Sequence, residues 1–515
     1  MNKEQILWAD DEIDLLKPHI LFLQNKGYEV TTVTNGRDAL DAISQQNFHL
    51  IILDENMPGI SGLEALQQIK IAQPNVPVIM ITKSEEENIM NQAIGSEIAD
   101  YLIKPVNPMQ ILLSIKKNLH SEALVAQKAT SDYQQEFMSI SQQIAMARTI
   151  DDWYQLYNTL VRWELTLSNA ETGMADMLRM QKLEANSAFA KMVKRNYEKW
   201  VTTDDHPLMS NEIFKTQIFP HIDAGEKVCF IVIDNFRLDQ WRTISTLLSD
   251  YFNIEKEELY TTILPTATQY ARNAIFSGLM PIDIERMFPE LWVDEDEDEG
   301  KNLNEAPLIQ TILDRYRRKC KFSYNKLNDS AAGERLVQHF AQLKNFDLNV
   351  IVFNFVDILS HARTESKMIR ELAYTDEAYR SLTVTWFKNS YVLEIFKRIA
   401  EQGWKIVLTT DHGTTRVDNA IKVIGDKNTN TNLRYKVGKN LSYNPRQVYE
   451  IKQPKRFGLP LLNVSSTYIF ASGRDFFAYP NNYNHYVQYY NDTFQHGGIS
   501  MEEMLVPLIT LTPKK

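Results

Sequence analysis

The stretch HLIILDENMPG, His49 to Gly59, is a short apolar run that ends at an acidic residue and passes into a turn. Four similar runs, QILWA, YEVTTV, VPVIMIT and ADYLI, fall between Gln5 and Ile103, and amphipathic stretches separate them. Short apolar runs that alternate with helical patterns indicate parallel strands joined by helices. Residues 1–120 therefore predict an α/β domain built on a doubly wound parallel sheet.

The chain after residue 120 changes character twice. Residues 121–206 contain a single glycine, Gly173, and no proline, and their apolar residues are spaced by three and four, as in WYQLYNTLVRWELTL. This pattern predicts an all-α helical bundle. Strand-like and helical patterns alternate again after His206, so residues 207–515 predict one large α/β domain. The acidic run Asp294–Glu299 is interpreted as a solvated loop.

The composition is that of a globular protein with an acidic balance. The 515 residues carry a formal net charge of −11, and the only cysteines are Cys229 and Cys320. An acidic chain is not expected to coat nucleic acid, and no helix-turn-helix or other DNA reader is recognisable. Two cysteines in so long a chain predict no disulfide framework and a reducing compartment. Since no leader pattern and no apolar run of membrane-spanning length is recognised, we expect a cytoplasmic protein without a membrane span.

Polar side chains lie at the predicted carboxyl ends of strands in residues 1–120. They are Asp10 and Asp11 after the first run, Asp54 after the third, Thr82 after the fourth and Lys104 after the fifth. Ligands bind at this edge of an open α/β sheet. Converging carboxylates repel one another unless a hard cation such as Mg²⁺ neutralises them. We therefore predict a Mg²⁺ site where an aspartate accepts a phosphoryl group, with Lys104 pairing with the phosphate and Thr82 donating to its oxygen.

The motifs DDE, LDENMPG, ITK and YLIKP resemble those of two-component receiver domains, which have a flavodoxin-like fold. The resemblance implies that Asp54 is the phosphoacceptor and that a sensor histidine kinase is a partner. It implies a switch pair and a cis peptide bond between Lys104 and Pro105. The implied Mg²⁺ ligands are Asp10, Asp11, Asp54 and the backbone of Asn56, and the implied switch residues are Thr82, Tyr101 and Lys104. A receiver is a bistable element biased by phosphate, so it predicts a regulated output downstream.

The C-terminal domain carries a second set of acidic residues and histidines at or just after apolar runs. The set is Asp234, Asp357, His361, Asp411, His412 and His496. Carboxylates combined with neutral imidazoles suit Zn²⁺, or Mn²⁺ if oxygen ligands dominate. Between Asp357 and His361, one helical turn would bring both side chains to one face. Two metal ions that act together on a phosphoryl group are the natural use of such a set.

The order DNFR, Asp-x-x-x-His, Thr-Asp-His-Gly and a late His-Gly resembles that of PglZ-type members of the alkaline-phosphatase superfamily. In this chain Asn235 stands where the superfamily usually has glycine. The resemblance implies that one metal is held by Asp357, His361 and His496, and the other by Asp234, Asp411 and His412. It also implies that a threonine or serine ahead of a helix bridges the two metals as the nucleophile.

The stretch ILPTATQYARNAIFSG, Ile263 to Gly278, supplies two candidates for that nucleophile. Thr266 and Thr268 both lie where a strand gives way to a helix, so the helix N-terminus would face the phosphate. The spacing to Ser277-Gly278 in relatives favours Thr268, and it leaves Thr266 as a turn residue. Both assignments stay open, and Ser277 is interpreted as a residue that ends the helix.

Several further residues are candidate substrate contacts. Arg272 lies four residues after Thr268 and could reach a phosphate, although a surface or ion-paired arginine is an equal alternative. A polar stretch, residues 425–441, is rich in cations beside the metal-bearing loop, which suggests an anionic substrate, with a solvated loop as the alternative. The candidates are Asn235, Arg272, Lys427, Arg434, Lys436 and Lys439.

Two functions remain open. In the first, phosphorylation of Asp54 controls a two-metal phosphohydrolase with a threonine nucleophile, and a phosphodiester, which could be of nucleotide type, is favoured over a monoester. In the second, phosphorylation drives dimerisation of a scaffold with structural metals that binds another regulator, such as a sigma factor. The order receiver, helices and PglZ domain resembles response regulators connected with type IX secretion in Bacteroidetes.

Overall fold

The computed structural model describes residues 3–83, 87–168, 172–294, 302–425 and 429–514. The acidic run beyond Asp294 and the candidate Lys427 lie outside the described residues. The chain separates into two compact units, Met1–Ser131 and Asp132–Lys515, which are described one at a time. The domain boundaries at residues 120 and 206 stay a prediction.

The first unit contains one parallel sheet with the strand order β2-β1-β3-β4-β5. Its strands are β1 (Glu4–Ala9), β2 (Tyr28–Val33), β3 (Leu50–Asp54), β4 (Val78–Thr82) and β5 (Asp100–Ile103). The helices that begin in it are α1 (Lys17–Asn25), α2 (Gly36–Gln45), α3 (Gly62–Ala72), α4 (Glu87–Gly95) and α5 (Pro108–Met146). This strand order is that of flavodoxin-like folds, and it confirms the predicted fold class of the receiver.

The central strands of this sheet explain why the apolar runs were so clear. Every residue of β3 and β4 is buried, as expected for parallel strands covered by helices on both faces. Because β1 and β3 are parallel neighbours, Asp10, which follows β1, and Asp54, the last residue of β3, lie at the same edge of the sheet. The fold therefore brings the first predicted site together.

Helices α6 (Ile150–Thr166) and α7 (Thr172–Thr202) confirm the predicted all-α segment, and both belong to the second unit. Thr149 caps the start of α6, where its hydroxyl accepts from the backbone of Asp152. Tyr133 and Gln181 are both buried, and the hydroxyl of Tyr133 donates to Oε1 of Gln181 at 2.8 Å. Buried polar contacts of this kind fix how the helices pack on one another.

The remainder of the second unit is a large α/β structure. Its strands are β6 (Val228–Ile233), β7 (Phe252–Thr261), β8 (Phe322–Leu327), β9 (Leu348–Phe353), β10 (Lys405–Thr409), β11 (Thr415–Val417), β12 (Asn419–Lys422), β13 (Tyr435–Gly438), β14 (Tyr449–Ile451), β15 (Thr467–Phe470), β16 (Asp475–Ala478), β17 (Thr493–Gln495) and β18 (Leu505–Pro513). Its helices are α8 (Phe219–Asp223), α9 (Leu238–Ile244), α10 (Thr268–Ser277), α11 (Pro281–Met287), α12 (Glu305–Arg315), α13 (Ser330–Gln338), α14 (Phe355–Glu365), α15 (Lys367–Leu372), α16 (Asp376–Asn389), α17 (Tyr391–Glu401), α18 (Tyr483–Tyr490) and α19 (Met501–Met504).

The main sheet of this unit has the order β7-β18-β10-β6-β9-β8. Strands β10, β6, β9 and β8 are parallel, whereas β18 runs antiparallel to both β10 and β7. The apolar run STYIFASG forms β15, which lies in a separate sheet with β13 and β14. Alternation of apolar residues indicates a half-buried strand but does not say which sheet it joins. The last strand of the chain in the main sheet is β18, which lies between β7 and β10 and which sequence reasoning had not singled out.

No helix among the described residues combines the length and the apolar character that crossing a membrane requires.

Candidate functional site

The receiver site in the first unit is built from three aspartates and one lysine. Carboxylate oxygens of Asp10, Asp11 and Asp54 lie within 4.8 Å of one another. Lys104 places its Nζ 2.9 Å from Oδ2 of Asp10 and 2.8 Å from Oδ2 of Asp54. Asp10 and Asp54 are buried, whereas Asp11 is exposed. The residues expected at three strand ends therefore meet in one crevice.

The electrostatics of this crevice suit a cation. Burial raises the pKa of Asp54, against the opposing effect of Lys104, and the neighbouring Asp10 raises it further. Burial would lower the pKa of Lys104, but hydrogen bonds to Asp54 and Asp10 outweigh it and the pKa rises. Three carboxylates compensated by one ammonium group leave a negative balance, and their oxygens are the ligands that Mg²⁺ prefers.

The other predicted receiver residues lie in or next to the strands that carry this crevice. Thr82 is buried at the end of β4, and Tyr101 is half-buried in β5. Asn56 is exposed two residues after Asp54, and the Lys104–Pro105 peptide bond is cis, as the resemblance implied. The roles of Thr82, Tyr101 and Asn56 stay predictions.

The second unit brings the other six predicted ligands into two adjacent groups. We call Asp234, Asp411 and His412 the buried cluster, because all three side chains lie in the interior. We call Asp357, His361 and His496 the open cluster, because the side chain of His361 is 58% exposed. Within each cluster, one ligand atom of every residue lies within 4.8 Å of the others.

The main sheet positions the buried cluster. Asp234 follows β6, and Asp411 and His412 follow β10 by one residue, at the carboxyl ends of neighbouring parallel strands. The open cluster is built differently from what the sequence suggested. Asp357 lies inside the first turn of α14, not at the end of β9, and His496 follows the short strand β17 outside the main sheet. A helix start and a strand from another sheet therefore complete the second cluster.

Direct contacts join the two clusters into one site. The rings of His412 and His496 stack with centroids 4.2 Å apart and an interplanar angle of 15°. Nε2 of His496 lies 3.7 Å from Oδ1 of Asp357, and Nε2 of His412 lies 3.8 Å from Oδ1 of Asp234. Asn235 connects the clusters, since its Nδ2 donates to Oδ1 of Asp357 at 3.1 Å.

Asn235 also explains why this position tolerates the departure from glycine. Its φ is 61°, which lies in the left-handed region where glycine is at ease and asparagine is the best-tolerated substitute. Its Nδ2 also donates to the hydroxyl of Ser360 at 3.0 Å. Its buried Oδ1 accepts no hydrogen bond within the described part of the chain. That oxygen is a free acceptor between the two clusters.

The two candidate threonines differ in what their hydroxyls contact. Oγ1 of Thr268, the first residue of α10, lies 3.5 Å from Oδ1 of Asp234 and 3.2 Å from Nε2 of His412. The buried hydroxyl of Thr266 instead donates to the carbonyl of Gly498 and accepts from the backbone of Gly497, both at 2.9 Å. Geometry therefore favours Thr268 as the residue that faces the ligands, and it gives Thr266 a structural contact.

Arg272 matches the ion-paired alternative of its two predicted roles. Its side chain is completely buried, and its Nε donates to Oδ2 of Asp411 at 3.0 Å. Its guanidinium is also bonded to Oδ2 of Asp234 and lies 3.2 Å from Oε1 of Glu305. The guanidinium is thus paired with Oδ2 of both aspartates of the buried cluster, which is the ion-paired alternative.

The basic stretch after β12 gives a correction to the expected substrate contacts. Arg434 is completely buried and is paired with Glu503 at 2.6 Å. Lys436 is buried as well, with its Nζ donating to the carbonyl of Asn430 at 2.7 Å. Lys439 is exposed and stays a candidate. A pattern of cations in the sequence does not reveal that partners distant in the chain neutralise them.

Sequence reasoning did not identify Glu305, which lies at the start of α12 and is 1% exposed. Its carboxylate accepts from Nζ of Lys326 at 2.9 Å and from the hydroxyl of Tyr324. It also accepts from Nη1 of Arg272 at 3.2 Å. A single glutamate in the stretch NLNEAPL carries no local signal of burial.

The pKa values in the two clusters fit metal binding. Burial raises the pKa of Asp234 well above its usual range despite Arg272, and Asp411 and Asp357 raise it further. Burial alone would raise the pKa of Asp411, but Arg272 and His412 outweigh it and bring the pKa to about 2. Burial and the neighbouring histidines lower the pKa of His496 well below its usual value, so its imidazole is neutral near pH 7. Neutral imidazoles beside crowded carboxylates form a donor set that suits a divalent cation.

Family models match three successive parts of the chain. Residues 6–116 match the response regulator receiver domain, residues 123–201 match the PorX response regulator linker domain, and residues 213–511 match the BREX system PglZ alkaline phosphatase-like domain. Receiver domains use Mg²⁺ and alkaline phosphatase-like domains bind metals, which agrees with the donor sets of both units.

Two curated relatives match over a length close to that of the receiver model. The chain is 32% identical over 115 residues to the transcriptional regulatory protein ResD of Bacillus subtilis (strain 168), which is 22% of this chain and 48% of the relative. It is 34% identical over 121 residues to the uncharacterized transcriptional regulatory protein YkoG of the same organism, which is 23% of this chain and 52% of the relative. The chain thus spans about half the length of these curated relatives.

Solved structures are similar over the same part. The crystal structure of a CheY-like response regulator receiver domain protein from Methanospirillum hungatei JF-1 is 28% identical, covering 23% of this chain and 96% of that chain with a TM-score of 0.23. The PglZ model, in contrast, spans more than half of the 515 residues. The chain therefore belongs to the PglZ alkaline phosphatase-like family, with a response regulator receiver and a PorX-type linker ahead of the PglZ domain.

Proposed function

We propose that this chain is a response regulator in which phosphorylation of Asp54 controls a metal-dependent phosphodiesterase in the PglZ domain, acting in the regulation of type IX secretion. The observation that carries the proposal is the position of Thr268. Its hydroxyl lies beside Asp234 and His412, at the N-terminus of a helix and next to two ligand clusters in contact. A nucleophile, two metal sites and a helix N-terminus are what phosphoryl transfer requires.

The two clusters divide the metals between them. The open cluster would hold one Zn²⁺ and the buried cluster the other, with Mn²⁺ as the alternative ion and Thr268 between them. When bound, the two ions supply Lewis-acid stabilisation of the phosphoryl oxygens and lower the pKa of the attacking hydroxyl.

The residues of the chain perform the remaining chemistry. The hydroxyl of Thr268 gives its proton to solvent, its oxygen forms a bond to phosphorus, and the ester bond breaks, so that the leaving group departs and takes up a proton from water. Water then hydrolyses the phosphothreonine, which returns the hydroxyl and releases the phosphate product. The first backbone N–H groups of α10 lie at the same helix end as Thr268 and favour negative charge there. A diester is the favoured substrate.

The receiver supplies the regulation. A sensor histidine kinase would transfer a phosphoryl group to Asp54, with Mg²⁺ held by Asp10, Asp11 and Asp54 and with Lys104 close to the new charge. Thr82 and Tyr101 are the proposed switch pair.

A dimeric scaffold is the second candidate, and one observation favours it. Apolar side chains are exposed on α4, β5 and the start of α5, which is unusual for a surface with no partner. They are Met90, Ile94, Ile103, Met109 and Leu113. Phosphorylation would then drive homodimerisation, the metals would be structural, and the PglZ domain would bind another regulator such as a sigma factor.

Replacement of Thr268 separates the two functions. The probe is bis-p-nitrophenyl phosphate, and the full-length metal-loaded protein is compared with Thr268→Ala and Thr268→Ser. We expect Thr268→Ala to lose about 10³-fold or more in kcat with two metal equivalents retained, and Thr268→Ser to keep part of the rate. Hydrolysis unchanged in Thr268→Ala would contradict the enzyme. Secretion unchanged while hydrolysis is lost would favour the scaffold.

A further inference from the structure

Helix α7 contacts two of the chain segments that carry groups of the proposed site. One segment runs from Thr261 to Thr268 and contains the nucleophile; we call it the nucleophile segment. The other runs from His496 to Glu503 and contains a ligand of the open cluster; we call it the histidine segment. We propose that Tyr197 and Asn186 of α7 are positioning residues that hold these two segments in place for catalysis, an inference that rests on the proposed phosphodiesterase function.

Tyr197 binds the nucleophile segment. The backbone N–H of Leu264 donates to the hydroxyl oxygen of Tyr197 at 2.7 Å, and both residues are completely buried. The ring of Tyr197 is fixed by stacking on Phe457, with centroids 6.4 Å apart and an interplanar angle of 11°. A buried N–H has no access to water, so Leu264 depends on this one oxygen for its hydrogen bond.

Asn186 binds the histidine segment with both ends of its amide. Its Oδ1 accepts from the backbone N–H of Met501 at 2.8 Å, and its Nδ2 donates to Oε2 of Glu502 at 2.9 Å. Asn186 is 4% exposed, and Met501 is completely buried. Because both groups of the amide are used, the side chain fixes the orientation of the segment as well as its distance.

The two residues act from one face of one helix. Asn186 and Tyr197 are about three helical turns apart, so their side chains project in nearly the same direction. A shift or rotation of α7 would therefore move both segments together, and it could not adjust one without the other.

The two segments are also locked to each other. Thr266 of the nucleophile segment exchanges hydrogen bonds with Gly497 and Gly498 of the histidine segment, each at 2.9 Å. Nδ1 of His496 lies 3.1 Å from the carbonyl oxygen of Thr266. The helix and the two segments thus form a closed set of contacts, and the distance between Thr268 and the open cluster depends on all of them.

The test uses the loss of one hydroxyl group. Tyr197→Phe keeps the ring and removes only the acceptor for the N–H of Leu264. We expect deuterium exchange in peptides spanning residues 260–270 to become roughly tenfold faster, because that amide loses its partner. We expect kcat on bis-p-nitrophenyl phosphate to fall about tenfold with KM within about twofold, since the nucleophile is misplaced while binding is kept. Asn186→Ala should give the same split in kcat and KM and faster exchange over residues 497–504.

Tyr133→Phe is the matched control. Tyr133 is also completely buried, and its hydroxyl donates to Gln181 of α7, so Tyr133→Phe loosens the packing of α7 without removing a hydrogen bond to either segment. It should lower the thermal midpoint with much smaller effects than Tyr197→Phe on exchange over residues 260–270 and on kcat. Equal effects of Tyr197→Phe and Tyr133→Phe on exchange and kcat would reduce the role of α7 to general stability and overturn the proposal.

The exchange measurement separates this inference from the proposed function. If the unmodified protein does not hydrolyse the probe, the phosphodiesterase fails, while exchange still decides whether Tyr197 holds the nucleophile segment. If the unmodified protein is active and Tyr197→Phe changes neither exchange nor kcat, the positioning role fails and the phosphodiesterase stands. Should Asn186→Ala not fold, Tyr197→Phe alone gives both measurements.

Discussion

The buried cluster and the open cluster offer the same kinds of ligand in different surroundings. In the buried cluster, Asp411 accepts from Nε of Arg272 at 3.0 Å and from the backbone of His412 at 3.1 Å. In the open cluster, Asp357 accepts from Asn235 at 3.1 Å, and the side chain of His361 is 58% exposed. The protein therefore compensates the charge of the buried cluster with an arginine, whereas the ion pairs of Asp357 within the described residues are with His361 and His496. The buried cluster is part of the folded core, and the open cluster is more accessible to solvent.

The largest expected effect is the removal of the cation paired with the buried cluster. Arg272→Leu leaves Asp234, Asp411 and Glu305 buried without their guanidinium, and we expect the metal-free protein to lose about 3–5 kcal/mol of unfolding free energy. Urea denaturation of metal-free protein measures the loss. Arg162→Leu is the control, because Arg162 is 55% exposed beside Glu136 and should cost about 1 kcal/mol or less. A small loss for Arg272→Leu would mean that the buried cluster does not need its internal cation.

A histidine from each cluster gives the second comparison. We expect His412→Ala and His361→Ala each to remove one metal equivalent, measured by atomic emission after dialysis. Without metal, His412→Ala should cost about 2 kcal/mol, because it empties a buried site, and His361→Ala should cost less than about 0.5 kcal/mol. Equal losses of unfolding free energy in the two variants would show that the two clusters contribute equally to the stability of the core.

The rate at which a chelator removes each metal ion also tests the difference in exposure between the two clusters. Because His361 is exposed and the buried cluster is closed off, we expect a chelator to remove the first metal equivalent about tenfold faster than the second. The loss is followed with a chromophoric chelator in the unmodified protein. In His361→Ala only the slow phase should remain. A single phase in the unmodified protein would contradict the assignment of one metal to each cluster.

The smallest expected effect on stability is that of replacing Asn235, which lies next to Asp234 and donates to Asp357. Asn235→Gly removes the hydrogen bonds to Asp357 and Ser360 but suits a φ of 61°, so we expect a net loss of about 1 kcal/mol or less. Asn235→Val should cost more, because a β-branched residue is strained at that φ. Equal thermal shifts for the two variants would show that the left-handed conformation is not maintained.

The fold could be predicted to the extent that it depends on local patterns. The apolar runs of β3, β4, β6 and β9 are buried at every position, and such strands are visible in the sequence because both faces demand apolar residues. The separate sheet that contains β15 and the last strand β18 were not predicted, because strand pairing depends on contacts far apart in the chain.

The candidate site divides in the same way. The ligand types and their order were visible because each follows an apolar run or carries a helical spacing, and the structure brings all six together. The contacts of Arg272, Arg434 and Lys436 were not visible. Glu305 and Glu503, which pair with Arg272 and Arg434, lie tens of residues away and carry no local signal. Lys436 donates to the carbonyl of Asn430, which is near in sequence, but its burial depends on the tertiary packing.

The sequence by itself determined which chemistry this protein can offer: carboxylates at strand ends for Mg²⁺, and an Asp and His set with a threonine ahead of a helix for a phosphoryl group. Only the tertiary structure decided which of these side chains lie beside the predicted metal ligands and which are hydrogen-bonded or ion-paired within the protein. It turned Thr268 toward Asp234 and His412, engaged Thr266 with the histidine segment, and paired the buried Arg272 with Asp411. The physical reason is that burial and pairing are set by neighbours distant in the chain, whereas residue type and spacing are local.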